Sequence, residues 1–137
     1  MSTFRIFEIA GSGMSAQSVR LNTVASNLAN AESVSGDPAK VYRAKHPVFQ
    51  ATQPQKSGDI GSAVSVSAIM ESESAPEQRY DPGNPLADAS GYVYAPNVNT
   101  VEEMVDMISA SRSYQNNVEV MTTARNLMLA TLKLGQG

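Results

Sequence analysis

The last third of the chain, from Thr100 to Leu134, contains neither proline nor glycine. Thr100 and Glu103 have the spacing of a capping box, in which two side chains bind backbone N–H groups at a helix start. Residues able to pack against a second helix then recur every three or four positions, so they form one stripe along the helix, which we call its seam. Gly135 follows where a helix commonly ends. The sequence therefore predicts a helix roughly 50 Å long at about 1.5 Å per residue, which so small a chain can cover only with another long helix.

A second amphipathic helix is predicted from Thr3 to about Ala31, because apolar residues again alternate at spacings of three and four. Gly11 and Gly13 lie within it and each costs up to about 1 kcal/mol relative to alanine. They indicate a kink, a close helix contact or a joint between shorter helices. The two seams are expected to pair with each other or with neighbouring subunits, through Phe7, Met14, Leu21, Val24, Leu28, Met104, Ile108, Val118, Met121, Met128 and Leu132.

The other face of each predicted helix is rich in serine, threonine and asparagine and poor in charge. A helix face in water normally carries lysine and glutamate, which favour helix and are well solvated. Small neutral side chains suit a face close to other protein, where a buried charge would be costly. Finding the pattern at both ends of the chain indicates helices that pack on two sides, as in a polymer.

The middle of the chain predicts a small β-rich module, with too few apolar residues for a large core of its own. The predicted fold class is mainly α with a small β insert (α+β). The N-terminal helical segment 1–31 and the long C-terminal helix 100–137 are expected to pair as a coiled-coil-like rod, with the loop and β-rich module at 32–99 between them. The expected strands are Tyr42–Phe49, broken near Pro47, then Ala63–Met70 and Gly91–Tyr94. The expected loops are Glu32–Lys40, Pro54–Gly61, Glu71–Gln78 and Asp81–Pro85.

The composition excludes several classes of protein. A chain of 137 residues with a net charge of -3 carries no basic footprint for nucleic acid. With no cysteine it has no disulfide framework, thiolate metal site or thiol nucleophile. No apolar run is long enough to span a membrane, and the first residues do not resemble a cleaved secretory signal. By default these features indicate a cytoplasmic protein.

Candidate chemistry is sparse. His46 is the only histidine and has no ligand-spaced partner, so it is expected to lie at the surface. Gly11-Ser12-Gly13 lacks the preceding strand and following lysine of a phosphate loop. Because no nucleophile, base and acid can be assembled, the sequence predicts neither an enzyme nor a protein with a cofactor, a metal or a small-molecule substrate.

Two stretches resemble a known family. Asn22-Thr-Val-Ala-Ser-Asn-Leu-Ala-Asn-Ala31 resembles the N-terminal signature of the axial proteins of the bacterial flagellum, its rod and hook subunits, with Asn27, Leu28, Ala29 and Asn30 at the centre of the signature. The segment Tyr80-Asp-Pro-Gly-Asn-Pro-Leu-Ala-Asp-Ala89 and the C-terminal helix resemble the proximal-rod members in particular. The loop from Glu32 to Lys40 departs from the family pattern.

The resemblance implies a structural subunit of the proximal rod, the hollow drive shaft that crosses the periplasm, transmits torque and forms the wall of the export channel. Its expected partners are copies of itself and other rod proteins, with the inner-membrane ring and export gate at the base. Members of the family leave the cell through the flagellar type III export channel without a cleaved signal peptide. The resemblance therefore replaces the cytoplasmic location that the composition alone indicates. Another rod subunit of the same family, or a soluble helical adaptor, are the alternatives.

Overall fold

The computed structural model describes residues 3–52 and 61–135. The chain runs through α1 (Thr3–Asn30), β1 (Lys45–Thr52), β2 (Ala63–Glu71), β3 (Glu77–Tyr80), β4 (Tyr92–Ala95) and α2 (Thr100–Gly135). Two long terminal helices with a small β region between them confirm the predicted fold class. The predicted loop Pro54–Gly61 lies outside the described residues except for its last residue.

The two helices lie side by side and run in opposite directions. Asn27 near the end of α1 contacts Glu103 near the start of α2. Further along the pair, Arg20 forms a 2.8 Å salt bridge with Asp106. Asn117 lies against Gly13, where an added Cβ would come within 2.9 Å of its amide oxygen. Gly13 is therefore a close helix contact, whereas a Cβ at Gly11 would meet nothing within 4 Å. Because α1 continues through both glycines, neither marks a joint.

An antiparallel hairpin of β1 and β2 packs on α1 and, within the described residues, not on α2. The N–H of Val64, near the start of β2, donates to Ser12 Oγ of α1 at 3.1 Å, and this hydrogen bond fixes the hairpin to the helix. The prediction that the first strand breaks near Pro47 is wrong, because β1 passes through it with Pro47 opposite Ile69. Each strand of a two-stranded sheet has a free edge, where the missing N–H of proline is tolerated.

A second, shorter pair is formed by β3 and β4, with the rings of Tyr80 and Tyr92 edge to face at 5.1 Å. The residues of β3 were expected to belong partly to a loop, and that interpretation is wrong. All four are exposed, so β3 lacks the alternation that identifies a half-buried strand. Its partner β4 was predicted, and Val93 within it is fully buried.

The start of α2 differs from the predicted capping box. The N-cap is Asn99, whose Oδ1 accepts from the N–H of Val101 at 3.1 Å and of Glu102 at 3.4 Å. The N–H of Glu103 donates to the carbonyl of Asn99 at 3.0 Å. Asparagine is as good an N-cap as the residue types of the capping box, and with Asn99 in that place the side chain of Glu103 is free to bind α1.

Candidate assembly surfaces of the helix pair

The end of α1 is held by one buried side chain, Asn27, which is 0% exposed. Its Nδ2 donates to the carbonyl of Lys45 and to Oε1 of Glu103, both at 2.9 Å. Its Oδ1 accepts from the hydroxyl of Tyr42 at 2.8 Å and from the N–H of Lys45 at 2.9 Å. Two donated and two accepted bonds use the full capacity of an amide side chain. We call this cluster the Asn27 hub, and it ties α1, β1 and α2 together at one point.

Glu103 is the charged member of the hub and is only 6% exposed. Burial raises the pKa of this carboxyl above its ordinary value of 4.5, opposed by the hydrogen bond from Asn27 and the charge of His46 and assisted by Asp106 and Glu102. Its Oε2 is buried and has no hydrogen-bond partner among the described residues. The hub therefore holds α2 against α1 but leaves one carboxyl oxygen of Glu103 buried without a hydrogen bond.

The other residues of the flagellar signature complete the end of the helix. Asn30 Nδ2 donates to the carbonyl of Ser26 at 2.8 Å, and the Asn30 carbonyl accepts from the Ser33 hydroxyl at 2.7 Å. Leu28 is half-buried and Ala29 is exposed. Within the chain, the two asparagines of the signature, Asn27 and Asn30, thus hold the C-terminal end of α1 by hydrogen bonds.

The predicted seam residues of α1 lie against the rest of the chain. Val24 is buried, and four more are half-buried: Phe7, Met14, Leu21 and Leu28. Beside them the small side chains of Ala10 and Ala16 are 2% exposed. Small residues allow the close approach that Gly13 and Asn117 show.

The predicted seam of α2 divides between two faces. Met121 and Met128 are half-buried, but Met104, Ile108, Val118 and Leu132 are 40 to 57% exposed and do not form the intrachain seam. The face toward α1 contains instead the buried Glu103, Ala110 and Ala124. Because alanine and a hydrogen-bonded acid occupy the face toward α1, a repeat of large apolar residues does not mark that face in the sequence. That the exposed residues pack between subunits stays a prediction.

The face of α2 opposite α1 begins with an apolar area that we call the outer patch: Val101, Met104, Val105 and Ile108. These residues follow the spacing i, i+3, i+4, i+7, so they lie together on one side of the helix. They are 56 to 68% exposed. Val101 and Val105 were missed by the sequence prediction, although their spacing to Met104 and Ile108 is visible in the sequence.

The other end of α2 carries a second apolar area. The contacts of Asn27 with Glu103 and of Gly13 with Asn117 set the antiparallel register. Extended along both helices, it brings Thr3 opposite about residue 127. Residues 128–135 thus have no partner in the described part of α1. We call Leu127–Leu134 the C-terminal knob; its four leucines, 127, 129, 132 and 134, are 44 to 83% exposed.

A groove of about 420 Å³ joins this knob to the start of α1, between Ile6 and the side chains of Val120, Ala124 and Leu127. Phe4 nearby is 76% exposed. The apolar surface at this end of the helix pair thus extends over both helices. Single exposed apolar residues are ordinary, but contiguous ones indicate a surface that meets other protein.

Neither a metal centre nor a membrane span is found in the part of the chain that the structure describes. Residues 3–52 and 61–135 contain no group of three or more histidine, aspartate or glutamate side chains placed to hold a metal ion. In the same ranges, neither helix has the length and apolar content needed to cross a bilayer. His46 is exposed.

Comparison with known proteins gives two family models that match the helix-containing ends of the chain and relatives that match nearly all of it. The model of the family described as "Flagella basal body rod protein" matches residues 7–36, and that of "Flagellar basal body rod FlgEFG protein C-terminal" matches residues 89–134. The flagellar basal-body rod protein FlgC of Yersinia enterocolitica is 56% identical over 137 residues, covering 99% of this chain and 100% of the relative. FlgC of Salmonella typhimurium is 53% identical over 136 residues, and FlgC of Bacillus subtilis is 36% identical over 151 residues, each with the same coverage. The chain therefore belongs to the FlgC family of flagellar basal-body rod proteins.

Proposed function

We propose that this chain is a structural subunit of the flagellar basal-body rod and assembles there with other rod proteins. The observation that carries the proposal is the exposure of α2: of its 36 residues only Glu103, Ala110 and Ala124 are buried in a single copy. The outer patch and the C-terminal knob expose apolar side chains at both ends of the same helix. Burying such surface releases about 25 cal/mol for each Å² removed from water.

We further propose that the rod segment is the proximal one and that it lies within the periplasm. In this position the subunit transmits torque and forms part of the wall of the export channel. Its closest partners are its own copies and other rod subunits, with the inner-membrane ring and export gate at the base. Export proceeds through the flagellar channel without a cleaved signal peptide. Family membership supports each of these assignments.

A mechanical role is consistent with how the helix pair is held together. The Asn27 hub and the salt bridge between Arg20 and Asp106 join α1 and α2 by directed polar contacts. Hydrogen bonds have defined lengths and angles, so they oppose sliding of one helix along the other. An apolar contact alone is non-directional. We propose that the hub fixes the register of the two helices while torque passes through them.

The experiment uses Val118, which is 40% exposed on α2 and was predicted to lie at a subunit contact. The variant Val118→Asp, expressed in cells that lack the native chain, should abolish swimming and recovery of the chain in detergent-extracted basal bodies. A charge tolerated in the free chain becomes buried without a partner on assembly.

The matched control is Gln115→Asp, which introduces the same residue on the same helix at a polar, exposed position. It should retain swimming. Wild-type swimming with Val118→Asp contradicts the assignment of this residue to a subunit contact. Absence of the native chain from basal bodies contradicts the proposed function itself.

A further inference from the structure

The two β pairs of the chain form separate sheets. Within the described residues, the β1–β2 hairpin and the β3–β4 pair share no strand pairing, and neither β3 nor β4 packs on the hairpin or on a helix. A two-stranded sheet by itself is only marginally stable in water. Contacts other than a shared ladder must therefore hold the β3–β4 pair in place.

One attachment of the β3–β4 pair is a backbone bridge to the segment that follows α1. The N–H of Ser35 donates to the carbonyl of Tyr94 at 3.0 Å, and the N–H of Tyr94 donates to the carbonyl of Ser35 at 2.8 Å. Beside this bridge, Gly36 lies against the turn between β3 and β4, where an added Cβ would clash with the carbonyl oxygen of Leu86. These contacts join the pair to one short stretch of chain, so they do not by themselves oppose rotation of the pair about that stretch.

The second attachment is the side-chain amide of Asn97, two residues before the N-cap of α2. Its Oδ1 accepts from the N–H of Ala44 at 3.0 Å. Its Nδ2 donates to Ser72 Oγ at 3.0 Å and to the carbonyl of Ser74 at 2.9 Å. Ala44 precedes β1 and Ser72 follows β2, so this one amide binds both strands at the base of the hairpin.

The base of the hairpin is held from two directions. The N–H of Ser72 donates to the carbonyl of Ala44 at 2.7 Å, and the N–H and carbonyl of Lys45 both bind Asn27 of α1 at 2.9 Å. With the bond from Ala44 to Asn97, every backbone N–H and carbonyl of these two successive residues is engaged. In an antiparallel strand the backbone groups of successive residues point to opposite edges. The two asparagines therefore hold opposite edges of the chain where β1 begins.

We propose that Asn97 is a positioning residue that locks the β3–β4 pair and the start of α2 onto the base of the β1–β2 hairpin. Together with the Ser35 bridge it gives the pair two separate anchors, and two anchors oppose a rotation that one allows. Hydrogen bonds have defined lengths and angles, so three of them at one amide fix its direction as well as its distance. Asn97 acts within the single chain, so this role does not depend on the proposed rod function.

The segment from Pro96 to Asn99 carries this connection over a short distance. Pro96 is buried, and its ring restricts the backbone before Asn97. Asn99 caps α2 through the N–H groups of residues 101 and 102. Two asparagines two residues apart thus perform different tasks, because one binds the hairpin and the other binds the helix. This difference supplies a matched control.

The test measures distances between pairs of spin labels in the purified full-length chain by pulsed electron spin resonance. The sequence has no cysteine, so labels attach only at introduced cysteines. Labels at Gln50→Cys on β1 and Gln78→Cys on β3, both exposed positions, report the placement of the hairpin relative to the β3–β4 pair. Labels at Gln50→Cys and at Ser15→Cys, an exposed position of α1, report the attachment of the hairpin to α1.

In Asn97→Ala we expect the distribution of distances between residues 50 and 78 to widen about two-fold, since the Ser35 bridge alone then restrains the pair and weakly held segments open locally. The distribution between residues 15 and 50 should not change. The matched control Asn99→Ala removes the cap of α2 but no bond to the hairpin, and it should leave both distributions as in the native chain. Far-UV circular dichroism of each variant shows whether its helices are retained.

Three results would overturn the assignment. The first is a native width between residues 50 and 78 in Asn97→Ala. The second is an equal widening in Asn99→Ala, which would trace the effect to the start of α2. The third is a widening of both label pairs in Asn97→Ala, which would mean that Asn97 only stabilises the hairpin on α1.

A second variant keeps the test decisive if Asn97→Ala does not fold. Asn97→Asp retains an acceptor for the N–H of Ala44, but it loses the donated bonds and places an oxygen opposite the carbonyl of Ser74. It should widen the distribution between residues 50 and 78 and leave that between residues 15 and 50 unchanged. A native width in this variant would likewise overturn the role of Asn97.

Discussion

The Asn27 hub predicts a large loss of stability for Asn27→Ala. The substitution removes all four hydrogen bonds at a site that is 0% exposed. Tyr42 retains its 3.0 Å contact with the Ser26 hydroxyl, but the N–H and carbonyl of Lys45 lose their partner. A buried polar group without a partner costs about 1–3 kcal/mol, so the two groups of Lys45 together cost about 2–6 kcal/mol.

The measurement is urea unfolding of the purified full-length chain, followed by far-UV circular dichroism. A loss of about 3 kcal/mol with a slope of about 2 kcal/mol per molar urea lowers the midpoint by about 1.5 M. The control is Asn22→Ala, also on α1, where the side chain is exposed. We expect that change to stay within about 0.5 kcal/mol of the native chain.

Asn27→Asp separates the two halves of the hub. It keeps the acceptor for Tyr42 and the Lys45 N–H but removes the two donated bonds and places a second carboxyl beside Glu103. We expect it to be at least as unstable as Asn27→Ala at neutral pH, because two buried like charges repel. A midpoint for Asn27→Ala equal to that of Asn22→Ala would refute the reasoning, since the hub would then contribute nothing to the register of the helices.

Two further predictions concern the helix contact and the buried acid. Gly13→Val should lower the unfolding midpoint, because its Cβ would lie 2.9 Å from the Asn117 amide oxygen. Gly11→Ala has open space around it and should raise the free energy of unfolding by up to about 1 kcal/mol. Equal effects at both glycines would contradict the close contact at Gly13. The raised pKa of Glu103 means that the folded chain holds a proton which the unfolded chain releases, so stability is fully present below pH 4.5 and falls as pH rises through the folded pKa. Glu103→Gln should remove that pH-dependent fall in urea unfolding measured across the interval, and a curve parallel to the native one would assign the fall to another group.

The helices could be predicted from the sequence because their signals are local. The absence of proline and glycine from Thr100 to Leu134 and a seam repeat of three and four are enough to indicate a helix that ends at Gly135. The strand β2 was equally predictable, because Val64 and Val66 alternate with serine. The strand β3 was not, since its four residues are all exposed and only pairing with β4 makes them a strand.

The hub and the intrachain seam depend on contacts that no local pattern encodes. Asn27 belongs to a recognisable signature, but its partner Glu103 lies 76 positions away. Glu103 also fits a capping box with Thr100, and only the structure shows that Asn99 performs the capping. Four of the predicted seam residues of α2, Met104, Ile108, Val118 and Leu132, are exposed in the single chain, because the small and polar side chains of Glu103, Ala110 and Ala124 face α1 in their place.

That reversal connects the fold with assembly. If α2 turned its apolar side chains toward α1, a single copy would be more stable but would present no apolar surface to its neighbours. Instead the pair is held by the contact of the Asn117 side chain with Gly13 and by the polar bonds of Asn27, which leaves Met104, Ile108, Leu132 and Leu134 exposed. Polar bonds have fixed geometry, so they set the register of α2, which carries both the outer patch and the C-terminal knob, relative to α1. Loss of the hub should therefore harm assembly beyond its effect on the single chain, because a slipped register would shift both surfaces relative to α1 and the β1–β2 hairpin.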